Sequence, residues 1–459
     1  MLWFVARLAL LAGLAWFYVL GATAHARIVN NFKARGDQSG YLGDAEHVYA
    51  NWHGQTPQML IGERNRMPLY AAYLALFYDP HLSDPEFFDV AKTWNIRLSL
   101  GLLALLCAIV SWYLPPLIST NLTLIVAFGY FVFKAGYAQS ELLFYFLFFA
   151  TFLVCCHLLA DRGRVTGLLL GGLAGILAAL AHLTKAAMLP FVGIVLAVYG
   201  IREVVHLVRL IRHPAADLTR DVLTRLVWKS AAALAMVACF LGVLYPYIST
   251  NKRVFGQYFY NVNTNFYMWY NDWPEASVGT HLHGDGVGWP TMPPDQIPSA
   301  RHYWETHTAG EIVDRLAGGF EDMVSRSYQT YWYLKYVALY VAFALAVILA
   351  NRRAFARMIH EHAPLCLFML LYAVVYLLAI AFYAPTSGTG TTRYLLAHVA
   401  PLMFVLSYFF AKEPFQTTQW RLGGIVVTPN HFHLVVSAMI GLDLIFTLWP
   451  RLMTTYGGF

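Results

Sequence analysis

The chain has 459 residues, of which 59% are hydrophobic, 16% aromatic and only 12% charged, with a formal net charge of +6. Soluble proteins carry about 25% charged residues, so this composition excludes an ordinary soluble enzyme, a disordered chain and a nucleic-acid-binding protein. It points to an all-α polytopic membrane protein, since each spanning helix takes about 20 apolar residues.

Apolar segments at about 3–21, 94–114, 117–134, 141–160, 166–183, 186–201, 230–248, 333–350, 364–384, 394–411 and 433–450 predict about eleven transmembrane helices. The first is read as an uncleaved helix, although Ala22-Thr23-Ala24-His25-Ala26 has the small-residue look of a cleavage site. Three polar stretches separate the spans: 26–93, a basic loop at 202–229 and an aromatic-rich loop at 249–332. With the N-terminus inside, the short inner loops hold Arg162, Arg164, Arg202, Arg209, Arg212, Arg220, Arg225, Lys229, Arg352, Arg353, Arg357, Lys412 and Arg421. The short outer loops hold only Lys134, Lys185 and Arg393, as the positive-inside rule asks. Arg27, Lys33 and Arg35 run against it and are outvoted. Both large loops, 26–93 and 249–332, then face the same outer compartment. The expected setting is a bacterial inner membrane, with endoplasmic reticulum as the lesser alternative, and any active site on these loops would face the periplasm or exterior. The five cysteines all fall in apolar segments and read as packing residues.

Chemistry-bearing residues gather on that outer side. Gly43-Asp44-Ala45-Glu46-His47 places two carboxylates and an imidazole together, with Asp44 as the expected N-cap of a short interfacial helix over about 45–53. A second short helix follows Pro68 and carries Tyr70 on its apolar side. Between the two, Arg64 and Arg66 suit a phosphate at headgroup level, and they equally suit snorkelling. Glu141 opens the fourth span, His182 and Lys185 flank a tight turn, and Arg393 opens the tenth span. Ionisable residues near a membrane are functional candidates. The loop after 249 crowds aromatic residues, Tyr258 among them, beside Asn and Asp side chains such as Asn263; this fits sugar stacking as well as an interface belt. His281, His283, Asp285 and His302 are candidate metal ligands without a distinctive spacing, so a divalent metal and no cofactor both stay open.

An Asp in the first outer loop, Arg66-Met67-Pro68-Leu69-Tyr70, Leu183-Thr184-Lys185, Asn251 to Gly256, and Arg393 to Leu396 occur in an order that resembles the GT-C superfamily. The nearest branch holds the protein O-mannosyltransferases and the lipid A aminoarabinose transferase. The chain departs in reading Asp44-Ala45-Glu46 where the mannosyltransferases show adjacent Asp-Glu, and no large soluble C-terminal domain is expected. The resemblance implies an inverting glycosyltransferase that moves a sugar from a polyprenyl-phosphate donor to an acceptor lipid, glycan or protein. It implies Asp44 as base with Glu46 beside it. Arg64, Arg66, Lys185, His182 and Arg393 would hold the donor phosphate, and Glu141, Tyr70, Tyr258 and Asn263 would contact acceptor or sugar. The expected partners are that donor, a hydroxyl acceptor and membrane lipids, not nucleic acid. The alternatives are a transporter or flippase of a lipid-linked sugar, whose sites belong near the midplane, and a non-catalytic membrane assembly subunit.

Overall fold

The structure is a computed structural model, and it describes residues 2–31, 34–56, 66–160, 163–212, 218–286, 288–330, 332–387 and 391–455. Eleven helices among the described residues are long and apolar enough to cross a membrane, and the protein is an integral membrane protein of helical architecture. They are Arg7–Ile28, Asp84–Tyr113, Pro116–Ala135, Glu141–Leu159, Arg164–Thr184, Leu189–Leu210, Val222–Phe255, Tyr333–Ala350, Ala363–Ser387, Thr392–Phe410 and Pro429–Phe446. Each overlaps one predicted segment.

The ends differ where polar turns extend an apolar core. The second span starts at Asp84 rather than about 94, because Ser83 and Glu86 form a reciprocal capping box with Pro85 in the first turn. The stretch 202–229, expected as a loop, is helical up to Arg212 and again from Leu218. The helix ending at Phe255 contains Pro246, whose carbonyl accepts the hydroxyls of Ser249 and Thr250. It stops at Gly256, where φ is +75° and a side chain would be strained. The expectation of an all-α chain meets one small exception, a hairpin pairing Trp420–Leu422 with Ile425–Val427 across Gly423-Gly424.

Glycines set the closest helix contacts. A Cβ at Gly171 would stand 2.2 Å from the Ala232 carbonyl oxygen, and one at Gly175 would stand 2.2 Å from that of Met236. Small residues at four-residue spacing bring two backbones together, the packing lipid-embedded helices favour.

The two large loops meet at one end of the bundle. The first folds into helices Asp37–Trp52 and Pro68–Ala75. Tyr41, Leu42, Ala45 and Val48 pack with Tyr70, Ala71 and Leu74 against Phe87, Phe88 and Ala91, a small core of its own. The second loop contains an unanticipated amphipathic helix, Ala309–Thr330, lying against Ala363–Ser387. Gly319 allows this: a Cβ there would stand 1.9 Å from the Ala381 carbonyl oxygen. Arg315 on that helix donates to the carbonyls of Phe382 (2.8 Å), Tyr270 (2.8 Å) and Met268 (3.1 Å), and to the Tyr303 hydroxyl (3.1 Å). Its guanidinium also covers the Phe382 ring at 4.2 Å. One side chain thus holds the 268–270 segment and the 303 helix to a spanning helix.

Arg315→Ala leaves several carbonyls without a donor, and is expected to lower stability by about 2–3 kcal/mol. Thermal unfolding in detergent, against Gly193→Ala on an open helix face, reads this out; equal melting of the two variants would contradict the bridging role of Arg315.

Candidate functional site

The helix Asp37–Trp52 begins eight residues before the expected start at 45, entered through Gly36 at φ +57°. Asp44 is therefore mid-helix and not an N-cap. Polar bonds pin this helix to the turn ahead of Glu141. Gln38 exchanges hydrogen bonds with Asn30 (2.9 and 3.1 Å) and accepts from the Ala138 amide (3.1 Å). The Tyr41 hydroxyl bonds Ser140 Oγ at 2.7 Å.

That pinning brings Asp37 to a charge network assembled from four distant segments. Asp37 Oδ2 accepts from Arg393 Nη1 at 2.5 Å. Arg393 Nη1 also lies 3.7 Å from Glu141 Oε1, which accepts from Lys185 Nζ at 2.8 Å. Lys134, fully buried, acts on the same Glu141 carboxylate through the apolar interior. Tyr145 fixes the Arg393 backbone by donating to its carbonyl at 2.7 Å. Glu141 is 2% exposed, so its charge is stable there only because cations surround it.

The network borders a cavity of about 360 Å³ between the two large loops and the bundle. Asp37, Arg66, His182, Lys185 and Arg393 are among its lining residues, as are Phe144, Phe148, Leu189, Tyr376 and Ile380. Asn261, Asn263 and Met268 of the second loop close it. Asn263 Oδ1 accepts the Tyr383 hydroxyl at 2.6 Å, which ties this wall to the bundle. His182 is buried with its ring edge to Phe240 and Phe259, and its Nδ1 has no hydrogen-bond partner among the described residues. Tyr41 also lines the cavity. Burial first, then Glu141 and Asp37, push its hydroxyl well above the ordinary tyrosine range, so it stays a neutral hydrogen-bonding group.

The expected site residues divide. Arg66, His182, Lys185, Arg393 and Asn263 line the cavity. Glu141 stands behind it, bonded to Lys185. Asp44 is 4% exposed and is not among the lining residues; its Oδ2 accepts from Arg66 Nε at 3.0 Å. Gly40, one turn earlier, makes room for that pair, since a Cβ there would stand 2.3 Å from the Arg66 guanidinium carbon. Glu46 sits half-buried away from the cavity, where burial and then Asp84 raise its pKa. Tyr70 is fully buried with its hydroxyl on Asn95 (2.9 Å), and Tyr258 is half-exposed outside the cavity, so neither faces it. Arg64 lies outside the described residues. Among the described residues no three His, Cys, Asp or Glu side chains gather to hold a metal; Asp285 and His281 approach to 4.0 Å, without a third ligand.

No family model, curated protein or solved structure matches the chain. The site therefore rests on its own geometry. Sequence reading passed over Asp37, because a lone Asp after glycine reads as a turn residue. It also passed over His398, which lines the cavity floor beside Phe148 and Tyr376 with Nδ1 2.5 Å from the Tyr372 hydroxyl.

Glu141→Leu removes the carboxylate that Lys185 donates to and leaves Arg393 with Asp37 alone, and is expected to cost about 3–5 kcal/mol. Glu141→Gln, which keeps an acceptor, is expected to lose less. Melting temperatures of both in detergent decide it; a leucine variant as stable as wild type would show that the network does not support the fold.

Proposed function

We propose that the protein is an inverting glycosyltransferase that takes a sugar from a polyprenyl-phosphate donor and places it on an acceptor hydroxyl. One observation carries this reading: Arg66, the turn holding His182 and Lys185, and Arg393, three segments far apart in sequence, line one largely apolar cavity. The fixed cations Arg66, Lys185 and Arg393 beside an aromatic and aliphatic lining match a ligand with an anionic head and a hydrocarbon tail. The ordered motifs that resemble the GT-C superfamily include three of these residues, Arg66, Lys185 and Arg393.

In this mechanism the tail lies along Phe144, Phe148 and Ile380, and the phosphate meets Lys185 and Arg393. Asp37, half-exposed on the cavity wall, accepts the proton of the acceptor hydroxyl. The acceptor oxygen forms a bond to the anomeric carbon as the bond from that carbon to the phosphate oxygen breaks on the opposite face. The electron pair stays on the departing polyprenyl phosphate, whose growing charge the fixed cations stabilise. His182 Nδ1 is available to the phosphate or the sugar. Asp44, expected from sequence as the base, holds the Arg66 guanidinium from behind and is a positioning residue in this account.

The test follows release of polyprenyl phosphate by mass spectrometry when purified protein is supplied with extracted polyprenyl-phosphate sugars and membrane acceptors. Wild type is expected to release it, and Asp37→Asn to slow release about 10²–10⁴-fold. Asp44→Asn is expected mainly to raise the KM for donor. Lys185→Ala with Arg393→Ala is expected to weaken binding of polyprenyl phosphate itself at least about tenfold. Full turnover by Asp37→Asn with none by Asp44→Asn would return the base to Asp44. Absence of release with any sugar donor, together with donor transport into vesicles, would replace transfer by transport.

A further inference from the structure

The helix Ala309–Thr330 turns two unlike faces away from the protein. Its inner face is fixed: Gly319 meets Ala381 of the span Ala363–Ser387, Met323 and Ser327 are buried, and Arg315 reaches the Phe382 carbonyl. On one outward side stand Asp314, Gly318 and Glu321, spaced as one face of a helix and all exposed. On the other stand Val313, Phe320, Val324 and Tyr328, which are 62%, 50%, 45% and 74% exposed. Ala317 fills the gap between the first two, so the stripe is continuous and roughly 22 Å long at 1.5 Å per residue. A contiguous apolar surface of this kind marks a contact.

The span beneath decides what covers the stripe. Leu370, Val374, Leu377, Leu378 and Ala381 follow at three- and four-residue steps and share one face of Ala363–Ser387. The first four are exposed and do not line the cavity. On a membrane-crossing helix such a face meets acyl chains. Ala381, the next in that column, is 2% exposed, because Gly319 lies on it. The helix Ala309–Thr330 therefore sits on the lipid-facing side of the span and not on its tip. Ala381 is six residues before Ser387, roughly 9 Å down the axis, and the following span begins at Tyr333. A helix held at that depth, with one exposed face apolar and the other polar, lies at the boundary of hydrocarbon and water.

We propose that the stripe of Val313, Phe320, Val324 and Tyr328 is seated among the acyl chains of the leaflet at the cavity end of the molecule. Hydrocarbon, and not headgroup charge, is what it recognises: the stripe carries no charge, and the exposed polar face presents the carboxylates of Asp314 and Glu321. The contact bears on the cavity through Arg315, which donates to the carbonyl of the lining residue Met268. The leaflet thus supports one wall of the cavity, whichever ligand the cavity takes.

The test uses the full chain in phosphatidylcholine nanodiscs holding one copy each. Cysteines are introduced singly as Phe320→Cys and Val324→Cys on the stripe, and as Gly318→Cys and Glu321→Cys on the polar face, where Gly318 has nothing within 4 Å of its Cβ position. Reaction with a membrane-impermeant maleimide is followed residue by residue with peptide mass spectrometry, which separates the introduced thiols from the native ones. The two stripe positions are expected to react at least about tenfold more slowly than the two polar ones, since a thiol in hydrocarbon loses both its thiolate form and its access to the reagent. Equal reaction at all four positions would overturn the proposal. Protection of the stripe that appears only in discs holding several copies would also overturn it, and would give the surface to a second copy of the chain.

Discussion

The cavity between the two large loops depends on one buried electrostatic constraint: Glu141 sits in the apolar interior and requires Lys185 and Arg393 beside it. Arg393 in turn requires Asp37. An unpaired charge in such surroundings costs several kcal/mol, so these groups are stable only together. The network joins the first loop, the fourth span, the turn after the fifth and the opening of the tenth. Folding and assembly of the cavity are for that reason the same event. The cations that satisfy Glu141 are also the groups presented to the cavity, so the groups that support the fold are those the proposed chemistry uses on a phosphate.

The remaining architecture serves to place that network. Gln38 and Tyr41 fasten the first-loop helix to the turn before Glu141, which sets where Asp37 stands. Arg315 fastens the second loop through the backbone carbonyls of Met268, Tyr270 and Phe382. Close packing at Gly171 and Gly175 keeps the two helices that carry Lys185 and Tyr247 in register.

Much of this was legible in the residues. Runs of about twenty apolar residues mark the eleven spans directly, because the bilayer tests length and hydropathy and little else. The ends were not legible, since Asp84–Thr93 and the arginines around 202–229 continue helices in sequence that reads as polar loop. The helix Ala309–Thr330 was missed because its apolar residues form a stripe and not a run. At the site, Arg66, His182, Lys185 and Arg393 could be found as ionisable residues at helix ends on one face. Asp37 and Asp44 could not be told apart, because which one faces the cavity depends on where the helix starts. That start is set by a left-handed Gly36, and Gly40 lets Arg66 lie across the helix onto Asp44. Local propensity places a cap at Asp44; tertiary packing places the helix start a full two turns earlier.

The central claim is that the network-bordered cavity receives the phosphate of a polyprenyl lipid. The most direct measurement is an electron cryomicroscopy map of the protein in nanodiscs loaded with a polyprenyl phosphate. The account expects phosphate density within hydrogen-bonding distance of Lys185 and Arg393, with the chain leaving past Phe148 and Ile380. A lipid phosphate bound elsewhere, with the space beside Lys185 and Arg393 holding only water, would contradict it.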